Sequence, residues 1–189
     1  MIGRAALWAG GGSVLLLAAA WWGGVRLNLT VSLPVGLYVV TRGAPTRGAI
    51  VLACLSPEVA AFARRRGYVP HGGCLGDTAP LGKMVLALPG DMVRLSRVGL
   101  SVNGEAVSES RPRASDSRGR PLPRLSPGRY IVQAGELWLA APHPLSFDSR
   151  YFGAVPRSSV VSALRPLLTV HTSNRLAPQR PNNAHHPDP

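Results

Sequence analysis

KMVLALPGDMVRL, residues 83–95, decides the fold. Its short apolar runs are broken by Pro89 and Gly90, residues that punctuate strands and stop helices. The same texture extends in both directions, through GLYVV (36–40), AIVLACL (49–55), LSVNGEAV (100–107), RYIVQAGELWLA (129–140) and SSVVSAL (158–164). These runs predict a mainly β, predominantly antiparallel domain between residues 27 and 170. Asn103-Gly104 is a two-residue hairpin signal, because both positions tolerate positive φ. One helix is predicted over 56–66, with Ser56 at the N-cap, Pro57 at the first helical position, Glu58 in the first turn, Arg64 to Arg66 near the end and Gly67 as the stop. Gly 21 and Pro 18 in 189 residues come to about a fifth of the chain, against a usual share of roughly 12%. That composition disfavours a helical bundle, and the length suits one domain with attachments.

Outward of the β domain, residues 5–25 contain no charge. As a helix they span about 30 Å, the hydrocarbon thickness of a bilayer. Arg4 precedes the run, Arg26 follows it, and Trp21 and Trp22 sit where an interfacial aromatic belt falls. A single transmembrane anchor is therefore expected, after a short cytoplasmic end at 1–4. A cleavable signal peptide ending near Ala18-Ala19-Ala20 is the rival reading, but the run exceeds the usual apolar core of such peptides. The anchor implies an inner-membrane protein whose domain at 26–170 lies in the periplasm. There Cys54 and Cys74 can pair; two buried thiols remain the alternative, and a metal site with His71 lacks a recognisable fourth ligand. Residues 108–129, rich in Arg, Ser and Pro, read as a flexible insertion, and 171–189 as a disordered tail.

The formal charge of +12 invites a nucleic-acid partner, but the arginines are scattered without interleaved aromatics and no recognition motif accompanies them. A positive surface beside a lipid bilayer is the simpler account. GDTAPLGKM (76–84) mimics a phosphate loop yet fails it: five residues separate the glycines, and Met84 follows the lysine in place of Ser or Thr.

Of the 21 Lys and Arg residues only Lys83 is lysine. It lies among Leu81, Met84, Val85, Leu86, Ala87 and Leu88, a setting that would desolvate an ammonium and lower its pKa. Ser32 follows the apolar run by a few residues, so a reactive hydroxyl there lies near the membrane surface. Serine needs a base to become a nucleophile; arginine stays charged, whereas a buried lysine can be neutral. A Ser-His-Asp arrangement with His71 or His143 is the rival chemistry, but neither histidine sits in a recognisable motif.

SLPVGLYVV around Ser32, PLGKMVLALPGDMV around Lys83, the Val-Asn-Gly hairpin and SFDSRYFGAV (146–155) together resemble type I signal peptidases, the membrane-bound Ser/Lys proteases. The two cysteines framing ARRRGYVP (63–70), then GRPLP (119–123) and SFDSRYFG (146–153), are most similar to the TraF-type peptidases of conjugative transfer, which mature a pilin subunit. The resemblance implies a signal-peptidase-like antiparallel β domain with Ser32 as nucleophile and Lys83 as general base. Asp148 is grouped with them as catalytic. By the same resemblance Thr30 would complete the oxyanion hole, Ser146 would orient the lysine and Arg150 would brace the site. It implies no cofactor and no metal. Its partners would be a pilin-like precursor or another membrane-tethered preprotein, the bilayer and conjugative transfer apparatus proteins. AAPHPLSFDSR (140–150) departs from the Gly-Asp-Asn-Arg element of housekeeping enzymes, and Leu33 replaces their usual Met. Both departures favour the specialised branch. Product cyclisation is compatible with such chemistry. A general signal peptidase is the second reading, and a non-catalytic structural component of a transfer apparatus the third.

Overall fold

Strands here are short because prolines and glycines interrupt nearly every apolar run. The computed structural model describes residues 22–29, 32–141 and 143–170. A seven-stranded antiparallel sheet runs in the order β1 (Val25–Asn28), β2 (Val35–Thr41), β12 (Val160–Val170), β3 (Ile50–Ala53), β5 (Leu81–Ala87), β10 (Glu136–Ala140) and β11 (Val155–Pro156). A four-stranded sheet holds β8 (Glu105–Ala106), β7 (Leu100–Val102), β6 (Met92–Leu95) and β9 (Gly128–Ile131). β4 (His71–Cys74) lies apart from both. The 83–95 stretch thus supplies one strand to each sheet, with the break at Gly90 (φ 89). Asn103 (φ 52) and Gly104 (φ 91) turn β7 into β8.

Trp138 of β10 joins the two sheets, packing with Ala87, Val93, Leu95, Leu100 and Val102 in one buried cluster. A second cluster, with Val51, Val85, Leu137 and Leu139, lines the large sheet. Helix α1 (Pro57–Arg66) starts on Pro57 and ends on Gly67 (φ 71), whose amide bonds back to the helix, while the Ser56 side chain makes no capping bond. Its Ala60 and Ala63 face Phe147 and Tyr151. Phe147 is ringed by Phe62, Tyr68, Tyr151 and Phe152 at centroid distances of 5.2–5.7 Å. This aromatic knot fixes the 141–152 loop on the helix. Cys54 and Cys74 form a disulfide with Cα atoms 5.6 Å apart, tying the end of β3 to β4.

Most of the expected anchor, and the expected tail at 171–189, lie outside the described residues. No helix among the described residues is long and apolar enough to cross a membrane. Val25, the last residue of the apolar run, already belongs to β1, after turn residues Gly23 and Gly24. The 108–129 stretch, read as a flexible insertion, doubles back on itself through a Ser115–Pro121 bridge. Asp116 pins it. This carboxylate accepts the Tyr68 hydroxyl at 2.6 Å, Arg120 Nε at 2.7 Å and the amides of Arg118 and Arg120 at 2.9 Å, with Arg66 at 3.6 Å. One carboxylate thus organises the tip of a segment whose composition is otherwise polar.

Candidate active site

Ser32 sits in a turn held from below by Leu33 and from the sides by two polar anchors. Leu33 is buried with Tyr38, Ile50 and Leu164. Asn28 Nδ2 donates to the carbonyls of Leu33 and Pro34 at 3.2 and 3.1 Å, and the Tyr38 hydroxyl donates to Pro34 at 2.5 Å. Gly36 follows because β2 meets β12 there so closely that a Cβ would stand 2.1 Å from the Leu168 carbonyl oxygen. Leu33, Pro34, Gly36 and Tyr38 of the Ser-Leu-Pro-x-Gly-x-Tyr string therefore each take part in shaping or anchoring the turn. Leu33 also packs on Gly82, where a Cβ would lie 3.1 Å from its Cδ1. That contact seats the Ser32 turn against the residue before Lys83.

Lys83, Val85 and Ala87 share the buried face of β5, with Lys83 opposite Val51 of β3. Lys83 is 2% exposed. Burial strips water from its ammonium and lowers its pKa from 10.5 to about 8; the Asp148 carboxylate opposes that shift and Arg150 adds to it. Ser32, Lys83 and Ser146 line one cleft of about 180 Å³. Ser146 Oγ is buried there without a hydrogen-bond partner among the described residues. The pairing of β10 with β5 reaches Met84 and stops, so among the described residues no strand covers Leu81 to Lys83 on that side.

Asp148 and Arg150 stand behind the cleft. Both are fully buried. Asp148 caps helix α2 (Ser149–Phe152) and accepts Arg150 Nε and Nη2 at 2.8 Å each, together with the amides of Arg150 and Ala141 at 3.2 Å. Arg150 Nη2 also donates to the carbonyls of His143 and Ser146 at 3.0 Å. Asp148, which the resemblance groups with the catalytic residues, uses both oxygens in this brace; it is not among the residues lining the cleft, but its carboxylate bears on the buried Lys83 ammonium. Thr30 lies outside the described residues. No cluster of three or more metal-ligating side chains exists among the described residues.

The cleft is also lined by residues that the sequence reading gave no role: Tyr68, Asp116 and Leu122, with Leu145, Phe147 and Tyr151. Tyr68 and Leu122 lie inside ARRRGYVP and GRPLP, so the strings themselves were the available signal. Burial works against ionisation of Asp116, yet the bonds from Tyr68 and the Arg120 and Arg118 amides hold its carboxyl well below the usual carboxylate range.

With this geometry in place, the family model described as signal peptidase, peptidase S26, matches residues 6–168, and the chain belongs to that family. It is 42% identical over 149 residues to the plasmid transfer protein TraF of Escherichia coli, covering 77% of this chain and 84% of that protein. It is 41% identical over 153 residues to the conjugal transfer protein TraF of Agrobacterium tumefaciens (strain 15955), covering 79% and 85%. Among solved structures it matches a signal peptidase I from Enterococcus faecalis V583 at 20% identity and a TM-score of 0.39, over 66% of this chain and 100% of that one.

Proposed function

We propose that the chain is a membrane-anchored Ser/Lys endopeptidase that cleaves a pilin-like precursor for conjugative transfer. The observation that carries this reading is a lone lysine, buried, with its pKa lowered to about 8, in one cleft with Ser32. Neutral Lys83 takes the Ser32 proton as Oγ attacks the scissile carbonyl, and returns it to the leaving amine. The Ser32 amide and Thr30 hydroxyl would face the oxyanion; such a donor contributes about 3 kcal/mol in the transition state. Ser146, which shares the cleft with Lys83 and whose buried hydroxyl has no partner among the described residues, would orient the amine. Asp148 and Arg150 act through position, fixing the loop that carries Ser146. The uncovered edge of Leu81 to Lys83 suits an extended substrate added as a strand. Water then resolves the acyl-enzyme, and an amine could do so instead, giving a cyclised product.

The names of the TraF relatives support the transfer context. An exposed apolar row supports membrane contact: Leu27 (61%), Leu37 (38%) and Leu168 (69%) lie side by side across β1, β2 and β12. The disulfide accords with an exported domain in the periplasm.

The test is precursor processing by detergent-solubilised protein, on a pilin precursor and on an ordinary exported preprotein. Cleavage of the pilin alone, lost in Ser32→Ala and in Lys83→Ala, is the expected result. Cleavage of both substrates would make the chain a general signal peptidase. Transfer that survives either substitution would make it a structural component.

A further inference from the structure

A second cleft of about 470 Å³ adjoins the candidate active site, and the two share Arg113 and Tyr151 in their walls. Five of its lining residues are arginines and none is acidic. Arg150 is buried and committed to Asp148. The other four, Arg97, Arg111, Arg113 and Arg124, are exposed and take part in no salt bridge among the described residues.

Three separate stretches deliver these charges, and hydrogen bonds fix their frame. Arg97 tops the turn between β6 and β7. Arg111 and Arg113 lie on the outgoing leg of the 108–129 insertion, and Arg124 on the returning leg beyond the Ser115–Pro121 bridge. Ser110 accepts the Leu100 amide at 2.8 Å, and its Oγ comes so near Gly99 that a Cβ there would meet it at 2.8 Å. The Arg113 amide donates to the Tyr151 hydroxyl at 3.1 Å. Four like charges held around one cleft repel one another, and an anion relieves that repulsion. Because Arg113 and Tyr151 belong to both clefts, a chain bound at Ser32 and Lys83 and running past Arg113 would meet this one. The exposed apolar row lies on the other sheet, which favours a peptide over a lipid headgroup as the occupant.

We propose that this basic cleft binds an acidic segment of the preprotein, so that carboxylates near the cut select the substrate. The proposal deepens the peptidase reading and rests on it for the word preprotein. Three synthetic fluorescent peptides sharing one cleavage core, flanked by Asp and Glu, by Asn and Gln, or by Lys, test it with the full chain in detergent. Binding by anisotropy and cleavage are read separately. The wild type is expected to bind the acidic peptide about ten-fold more tightly than the amide-flanked one, the scale of two or three partly exposed ion pairs, with the advantage shrinking in high salt. R111Q/R124Q should bring that ratio toward one, and R111E/R124E should turn the preference to the Lys-flanked peptide. Equal binding of all three peptides, or an acidic preference that survives R111E/R124E, overturns the proposal. So does a pattern in which the variants lose phosphatidylglycerol vesicles or a single-stranded oligonucleotide while keeping the acidic peptide. Intact acidic selectivity without cleavage of any peptide would instead strike the peptidase reading and leave the anionic site standing.

Discussion

Two buried cations lie near each other in this molecule and are treated in opposite ways. Arg150, 1% exposed, has a carboxylate on its fork and three backbone carbonyls within reach. Lys83, 2% exposed, makes no side-chain hydrogen bond among the described residues. Burial of a charge is tolerated where it is paired and bonded, and otherwise the group moves toward its neutral form. The paired cation is held as part of the scaffold, and the unpaired one is left able to give up its proton. Nature's choice of residue follows the same division, because a guanidinium keeps its proton and a lysine amine can release it.

Removing the pairing should have the largest effect. Asp148→Asn leaves Arg150 buried against a neutral group, and a broken buried pair costs about 3 to 5 kcal/mol, measurable by denaturant unfolding. Because Asp148 holds the Lys83 pKa up, the surviving folded fraction should show the acid limb of kcat/KM displaced below pH 8. A variant of unchanged stability would erase the contrast between the two cations.

Replacing the unpaired cation should have the reverse sign. The folded pKa of Lys83 is about 8 and its ordinary value 10.5. Below pH 8 both folded and unfolded chains carry the proton, and the folded chain bears the full penalty. Between pH 8 and 10.5 the folded chain releases the proton first, so wild-type stability rises with pH. Lys83→Met is expected to raise stability at pH 7 by up to about 3 kcal/mol, to lose that rise, and to lose processing. Destabilisation by the substitution would mean that the ammonium is well solvated or paired. The smallest change is Ser146→Ala. Its hydroxyl has no partner to lose, so unfolding should shift by less than about 1 kcal/mol while kcat/KM falls clearly. Equal loss of stability and activity would make Ser146 a packing residue.

Much of this contrast was legible in the chain. A single lysine among 21 basic residues, a residue type more often found at the surface, was marked for burial only by the apolar run around it. The Asn103-Gly104 hairpin and the helix from Pro57 to Gly67 follow from local rules that act within a few residues. What escaped was non-local. β12, near the described C-terminal end, inserts between β2 and β3, and no local pattern encodes that choice. The 108–129 segment read as flexible because Asp116, the carboxylate that pins it, finds its partners across the turn and on Arg66 and Tyr68. Asp148 could be recognised from its string, but its place behind the cleft depends on how the loop from β10 closes over Arg150.

The most direct test uses the fact that Lys83 is the one lysine. Protein labelled with 13C at lysine gives one Nζ-adjacent methylene signal, whose shift can be followed against pH. A midpoint near 8, far below the ordinary 10.5, is the expected result. A midpoint near 10.5 would show a solvated or paired ammonium and contradict the assignment of Lys83 as the base.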